Sequence, residues 1–359
     1  AMDAENQKTE KSAWLVFTES QAIRFPKVHG VTFRPEQPPG AILHEEGRTM
    51  VNVYVPAMTS RREGDVTPFT TLIEKMLPDP RDRRIMYSYM ASMVQNPGIK
   101  FQYCVLVQGV EGNGKSTMIR AHAHAVGHRY SHMPNARELA GSGGKFTGWM
   151  NRKLFIGVEE LKIRGFNDDL LEVLKPMISN DRLEMQAKGS DQVMADNRSN
   201  WLICANYKDA VPVTTDTRRY CIFYCAQQRK TDFAKFGMEG AYFPQLYRWL
   251  NDGGYSIINH WLRSYAIEDE FDPALLARAP DTSSTYEAVE VTRTEVEQHL
   301  LEAIGIEFPG FRGGWISSIA LDKFMDLRRL AVLCPPTTRR AVLQKLGYAW
   351  PPALPEGRF

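Results

Sequence analysis

The sequence predicts an α/β protein: a parallel sheet carrying a phosphate loop. Two observations carry that prediction. Four short, wholly apolar runs, YCVLVQ (103–108), LFIGV (154–158), WLICA (201–205) and YCIFYC (220–225), alternate with helical segments. Strands covered on both faces by crossover helices read as continuous apolar runs. The first run ends in Gly109-Val-Glu-Gly-Asn-Gly-Lys-Ser116 and passes directly into the helix-spaced STMIRAHAHAV. Strand, glycine loop, helix is the order that a phosphate-binding loop requires.

Composition agrees with this and excludes other classes. The chain has 359 residues, 43% hydrophobic and 24% charged, enough apolar material for two or three packed domains and too much for extensive disorder. A formal net charge of +2 does not declare a nucleic-acid or membrane partner, so any such site must be local. The cysteines (Cys104, Cys204, Cys221, Cys225, Cys334) form no CxxC pair and are expected as reduced, buried hydrophobes. The sequence has no long apolar run, and its start, AMDAENQKTEKS, is polar. Neither a membrane span nor a signal peptide is expected, and the expected location is cytoplasmic.

Along the chain, residues 1–67 read as loops and small strands such as WLVF and VNVYVP. Residues 68–100 read as a small helical region, in which PDPRDRRIMYSYMASMVQNPG sets Ile85, Met86, Tyr89, Met90 and Met93 on one face. Asp79-Pro80 begins that helix and Pro97-Gly98 stops it. Residues 101–265 form the α/β core. Residues 266–309 carry eleven acidic residues against Arg278 and Arg293, and contain DTSST, read as a linker. Residues 310–359 reverse the sign. They predict two short helices in a winged-helix-like unit, with Thr337, Thr338, Arg339 and Arg340 opening the second, as a DNA-phosphate grip or a solvated surface.

The phosphate loop gives the sharpest chemistry. Gly109, Gly112, Asn113 and Gly114 let successive N–H groups point at a phosphate, with the helix N-terminus adding partial positive charge. Lys115 is placed for the β- and γ-phosphates of ATP, Ser116 for Mg²⁺ and Thr117 for the α-phosphate. LFIGV ends in Glu159-Glu160, at the strand end where parallel sheets bind ligands. Glu159 is expected to hold the metal and Glu160 to polarise the attacking water. Asn206 ends WLICAN and is placed to sense the γ-phosphate, although an Asn after a strand is by itself ordinarily a turn residue. Arg218 and Arg219 precede the fourth run, and either could reach a neighbouring subunit's nucleotide. RLEMQAKGSDQVMAD alternates as a β-hairpin with Lys188 at its tip, placed to grip a phosphate backbone or to guard a solvated edge. The histidines at 122, 124, 128 and 132 lack ligand spacing and are expected in structural or surface roles.

In this order, the motifs resemble those of superfamily 3 helicases, AAA+ type ring motors, nearest the helicase parts of phage, plasmid and poxvirus-type primase-helicases. The resemblance covers about residues 68–229. GVEGNGKS looks like Walker A and LFIGVEE like Walker B. LKPMISNDRLEMQAKGSD looks like the B′ region with its channel hairpin, WLICAN like the sensor motif and Arg218-Arg219 like the finger site. It implies a homo-hexameric ring with a helical collar before the motor, ATP hydrolysis between subunits, travel on single-stranded DNA, and a role in DNA replication. A primase or polymerase domain on a longer chain is implied as a partner. Glu159 stands where many members have Asp, and Thr217 stands where an apolar or aromatic residue commonly precedes the arginines. Two other classes compete: an ATP-switched, DNA-binding initiator or loader without processive unwinding, and a P-loop kinase of a small metabolite.

Overall fold

A computed structural model describes residues 28–135, 138–139, 147–160, 169–186, 193–208, 218–291 and 294–349. The chain divides into two compact units, residues 1–56 and 57–359. WLVF, Lys188 and Thr217 lie outside the described residues.

The first unit holds β1 (Gly30–Thr32), β2 (Ile42–Glu45) and β3 (Arg48–Asn52), in the order β1-β3-β2. Asn52 is buried and joins its loops, donating to the carbonyls of Arg34, Gln37 and Pro38 while its Oδ1 accepts from the Arg34 and Tyr54 amides.

The second unit opens with α1 (Thr67–Met76) and α2 (Pro80–Gln95). The Asp79 side chain caps α2 by accepting from the Arg81 and Asp82 amides, with Pro80 at the first helical position, where its missing N–H costs nothing. The predicted face is buried, and so is the rest of Ile85–Val94. Packed between the sheet and a later helix, α2 has no solvent side over these turns, and Tyr89 donates to the Trp201 carbonyl at 2.8 Å.

Next come β4 (Cys104–Gln108), α3 (Lys115–Val126), β5 (Ser131–His132), β6 (Phe155–Val158), α4 (Asp169–Ser179), the hairpin β7 (Arg182–Met185) and β8 (Val193–Asp196), β9 (Asn200–Ala205) and β10 (Tyr220–Tyr224). The four predicted apolar runs are β4, β6, β9 and β10, and they are almost wholly buried. With β5 they make one parallel sheet ordered β10-β4-β9-β6-β5. The protein is thus α/β with a five-stranded parallel sheet. β9 lies between the strand feeding the phosphate loop and the strand ending in Glu159-Glu160. All five cysteines are free and buried. His122 sits in the core against Met93 and the Phe155 ring, and burial holds its pKa down at about 3.

Beyond the sheet lie α5 (Asp232–Lys235), α6 (Tyr242–Trp249) and α7 (Tyr255–Ser264), which packs along α2 and α3. The segment after α7 differs from the linker expected there. The Ala279 amide donates to the Arg218 carbonyl, Thr282 Oγ1 to the Ile222 carbonyl, and the Tyr224 amide donates to Ser284 Oγ. Ser283 donates to the Asp82 carboxylate through both its amide and its hydroxyl. The stretch is a strap along β10, an edge strand whose outward N–H and C=O groups need partners. The small hydroxyls that made DTSST look like a linker are what satisfies them. α8 (Thr285–Val291) then places Ala288 in the core beneath the sheet.

The C-terminal portion has its own core. α9 (Glu295–Gly305), the hairpin β11 (Phe311–Arg312) and β12 (Trp315–Ile316), α10 (Ser318–Leu327) and α11 (Pro336–Lys345) bury Leu300, Phe311, Phe324 and Leu343 together. That core reaches back to Val296, upstream of the sign change at residue 310. Arg339, expected as a DNA-phosphate grip or a solvated surface, is only 8% exposed; it donates to Asp322 and to the Cys334 carbonyl. It pins α11 to α10 and is not available to a phosphate.

Candidate nucleotide site

The loop after β4 and the turns after β6 and β9 open at the same edge of the sheet. A cleft of about 340 Å³ there is lined by the loop from Glu111 to Thr117, by Glu159, Glu160 and Asn206, and by Arg120 and Tyr247. Thus the structure brings Gly112, Asn113, Gly114, Lys115, Ser116, Thr117, Glu159, Glu160 and Asn206 together, as the sequence predicts. Gly109 sits at the base of the loop.

Two glycines show how tightly the loop is built. Gly114 has φ +101°, and a Cβ there would lie 2.8 Å from Leu72 of α1. A Cβ on Gly109 would lie 2.8 Å from Cys225. The loop therefore turns into α3 through a conformation costly for other residues, with its base pressed on the end of β10. Lys115, buried beneath it, donates to the Gly109 carbonyl at 2.6 Å, the Val110 carbonyl at 2.9 Å and Asn113 Oδ1 at 3.1 Å. These three bonds hold the ammonium beneath the loop. Burial lowers the Lys115 pKa from the usual lysine range; nearby thiols and the carboxylates of Glu111 and Glu160 oppose that shift.

Strand register sets the acidic side. Val158 pairs with Ile203 and Gln108 with Ala205, so Glu160 and Asn206 emerge one step apart on adjacent strands. Asn206 Nδ2 donates to Glu160 Oε1 at 3.0 Å. Gln108 donates to the Asn206 carbonyl at 3.2 Å and steadies that turn. Glu159 faces Arg120 at 3.8 Å with both side chains well exposed, a contact worth little in water and easily exchanged for a cation.

The donor set fits a nucleoside triphosphate with a divalent cation. Loop amides, the α3 N-terminus and Lys115 suit phosphate oxygens. The Ser116 hydroxyl and the Glu159 carboxylate suit Mg²⁺.

The two arginines part company. Arg219 Nε donates to Ser179 Oγ at 3.0 Å, tying the start of β10 to the end of α4. Arg218 is exposed, and its side chain has no hydrogen bond or ion pair among the described residues. Both precede β10, whose first residue pairs with Cys104, whereas the phosphate loop follows the far end of β4. Five strand residues at ~3.3 Å each put them roughly 16 Å from their own phosphate loop.

Besides Glu111 within the loop, two lining residues were not expected from sequence. Arg120 lies one helical turn beyond Ser116, so the 3.6-residue period carried its signal. Tyr247 reaches the cleft from α6, a segment with no motif. Besides His122 in the core, His124 stacks on Tyr255 and His132 on Trp149, whereas His128 is exposed. Among the described residues no cluster of three metal-ligating side chains occurs, and no helix is long and apolar enough to cross a membrane.

Residues 107–219 match a family of unknown function, DUF5906, a segment running from the strand before the phosphate loop to Arg219. No curated protein matches. Among solved structures, the chain is similar to the apo C-terminal region of NrS-1. One such structure, spanning residues 305–718 of that protein, has TM-score 0.60 at 14% identity over 88% of this chain and 76% of that one. Its A form has TM-score 0.62 at 14% identity over 93% and 79%. At that identity the likeness is one of fold.

Proposed function

We propose that this chain is an ATP hydrolase that works as a ring-forming motor on single-stranded DNA, a helicase of the phage or plasmid replication type. The observation that carries the reading is the Asn206–Glu160 hydrogen bond at 3.0 Å beside the phosphate loop. It pairs a polarising carboxylate with an amide that can report what occupies the cleft. Glu160 would orient and polarise the attacking water, while Lys115 and the loop amides hold the phosphates. Mg²⁺ at Ser116 and Glu159 would neutralise charge on the phosphate oxygens.

The exposed Arg218, far from its own loop, supports a site shared between two copies, where it would stabilise transition-state charge across the seam. A homo-hexamer is the assembly that the resemblance implies. The hairpin β7–β8 supports a channel-facing loop, with Lys188 gripping DNA phosphate.

The test is ATPase rate with and without single-stranded DNA, alongside mass determination with a non-hydrolysable ATP analogue. DNA-stimulated hydrolysis by an oligomer is expected, with stimulation lost in Lys188→Ala while basal hydrolysis stays. A nucleotide-bound, DNA-bound single copy would reject the motor. Assembly on ATP without unwinding of a tailed duplex would favour the initiator reading.

A further inference from the structure

The cleft has a second kind of wall. Its lining is glycine backbone, hydroxyls, carboxamides and charged groups, with one exception: Tyr247 is the sole aromatic among the described residues that line it. A nucleoside triphosphate has two ends with opposite needs. Its phosphates want cations and N–H donors, which the loop and Lys115 offer. Its base is a flat π system that water solvates poorly, and a ring face is what binds it without base-specific hydrogen bonds.

The scaffold holds Tyr247 ready for that role. α6 packs against α1, the helix that also supports Gly114 through Leu72. Its inward residue Leu246 is buried, and Lys75 of α1 sits over the Tyr242 ring at 5.4 Å. On the outer face, Phe233, Phe243 and Tyr247 follow one another, the last two stacked at 6.1 Å and 27°. Tyr247 ends the column and remains 44% exposed. After Trp249, Gly253 turns the chain with φ +95° and returns it as α7 along α3. The ring is thereby carried by elements that grip the phosphate helix itself. A base placed on Tyr247 would extend a stack already two rings long.

We propose that Tyr247 stacks on the nucleobase of the bound nucleotide and is the base-positioning residue of this site. The proposal rests on reading the cleft as a nucleotide site, and it gives that site affinity for the base as a flat surface, with little choice among bases.

Two ligands separate the proposal from the reading beneath it. The full chain is titrated with Mg²⁺-ATP and with Mg²⁺-tripolyphosphate, which has the phosphates and no base. Tyr247→Ala is expected to weaken ATP binding about tenfold, within the span measured for base–aromatic stacking, and to leave tripolyphosphate binding unchanged. Tyr247→Phe is expected to restore ATP binding. Tyr247→Leu, which keeps an apolar contact to Phe243, is expected to behave as Ala does and covers the case in which the Ala variant fails to fold. In hydrolysis, KM for ATP rises and kcat stays. Lys115→Ala weakens both ligands. Equal ATP binding in wild type and both Tyr247→Ala and Tyr247→Leu would overturn the proposal, as would equal weakening of both ligands. Binding of neither ligand by the wild-type chain would overturn the nucleotide reading itself.

Discussion

The two ends of the parallel sheet are built from the same strands and treated in opposite ways. At the C-terminal end, β6 hands over to two exposed carboxylates. Glu159 meets Arg120 at 3.8 Å, and Glu160 is held by an amide. At the N-terminal end several polar groups are tied into the fold. Arg219 is tied to Ser179, Asn200 bridges the Phe101 amide and the Ile99 carbonyl, and Asn197 donates to the carbonyls of Met177 and Asn180. Exposed groups can exchange partners during a reaction, whereas buried and bonded groups fix a fold. Arg218 is the exception at that end: exposed, with no side-chain hydrogen bond or ion pair among the described residues.

That contrast can be broken at its exception first. Arg218→Ala is expected to lower kcat by about a thousandfold or more, the scale of a transition-state arginine, without changing melting temperature. Partial rescue on mixing with Lys115→Ala subunits would locate the loss in a shared site. Arg219→Ala should do the reverse, costing about 1 kcal/mol of stability through the lost Ser179 bond. Equal kinetic losses in the two variants would erase the distinction between them.

At the open end, Glu160→Gln keeps the shape and removes the charge. It is expected to cut hydrolysis by about 10²–10⁴-fold while ATP still binds. Hydrolysis that survives the change would remove Glu160 from its role.

Smaller effects belong to the groups that fix the fold. Thr282→Val leaves the Ile222 carbonyl of an edge strand without its donor. A loss of about 1–3 kcal/mol in denaturant unfolding is expected, with nucleotide affinity unchanged. The core gives a pH signature too. With the folded pKa of His122 at about 3 and an unfolded value near 6.5, only the unfolded chain takes up that proton between those values. Stability present above about pH 6.5 is therefore lost as pH falls, at most about 1.4 kcal/mol per pH unit from this group. His122→Phe should flatten that limb, and an unchanged acid slope would show that other groups set it.

The sequence disclosed what was written as local pattern. β4, β6, β9 and β10 were legible because strands buried on both faces leave no polar positions to confuse the period, and the glycine turn into α3 because strand, glycines and helix spacing follow one another in the sequence. The hairpin β7–β8 was legible from alternation at Leu183, Met185, Val193 and Ala195. Long-range pairing was not legible. Nothing near Thr282 says that its hydroxyl will meet Ile222, sixty residues earlier, and a run of small hydroxyls reads equally well as a loop. Arg339 misleads for the same reason, since its partner Asp322 is distant in sequence and an arginine opening a basic helix looks solvated. Tyr247 carried no motif at all, since only folding brings α6 to the cleft.

The strap has a consequence for how this core can meet other molecules. Its hydroxyls close one margin of the sheet, and the opposite margin, β5, is two residues long. Among the described residues, neither flank offers a long free backbone ladder, so an incoming strand would find few main-chain partners at either margin. Docking on this core would then lean on side chains, and a joint of that kind comes apart without unravelling the sheet.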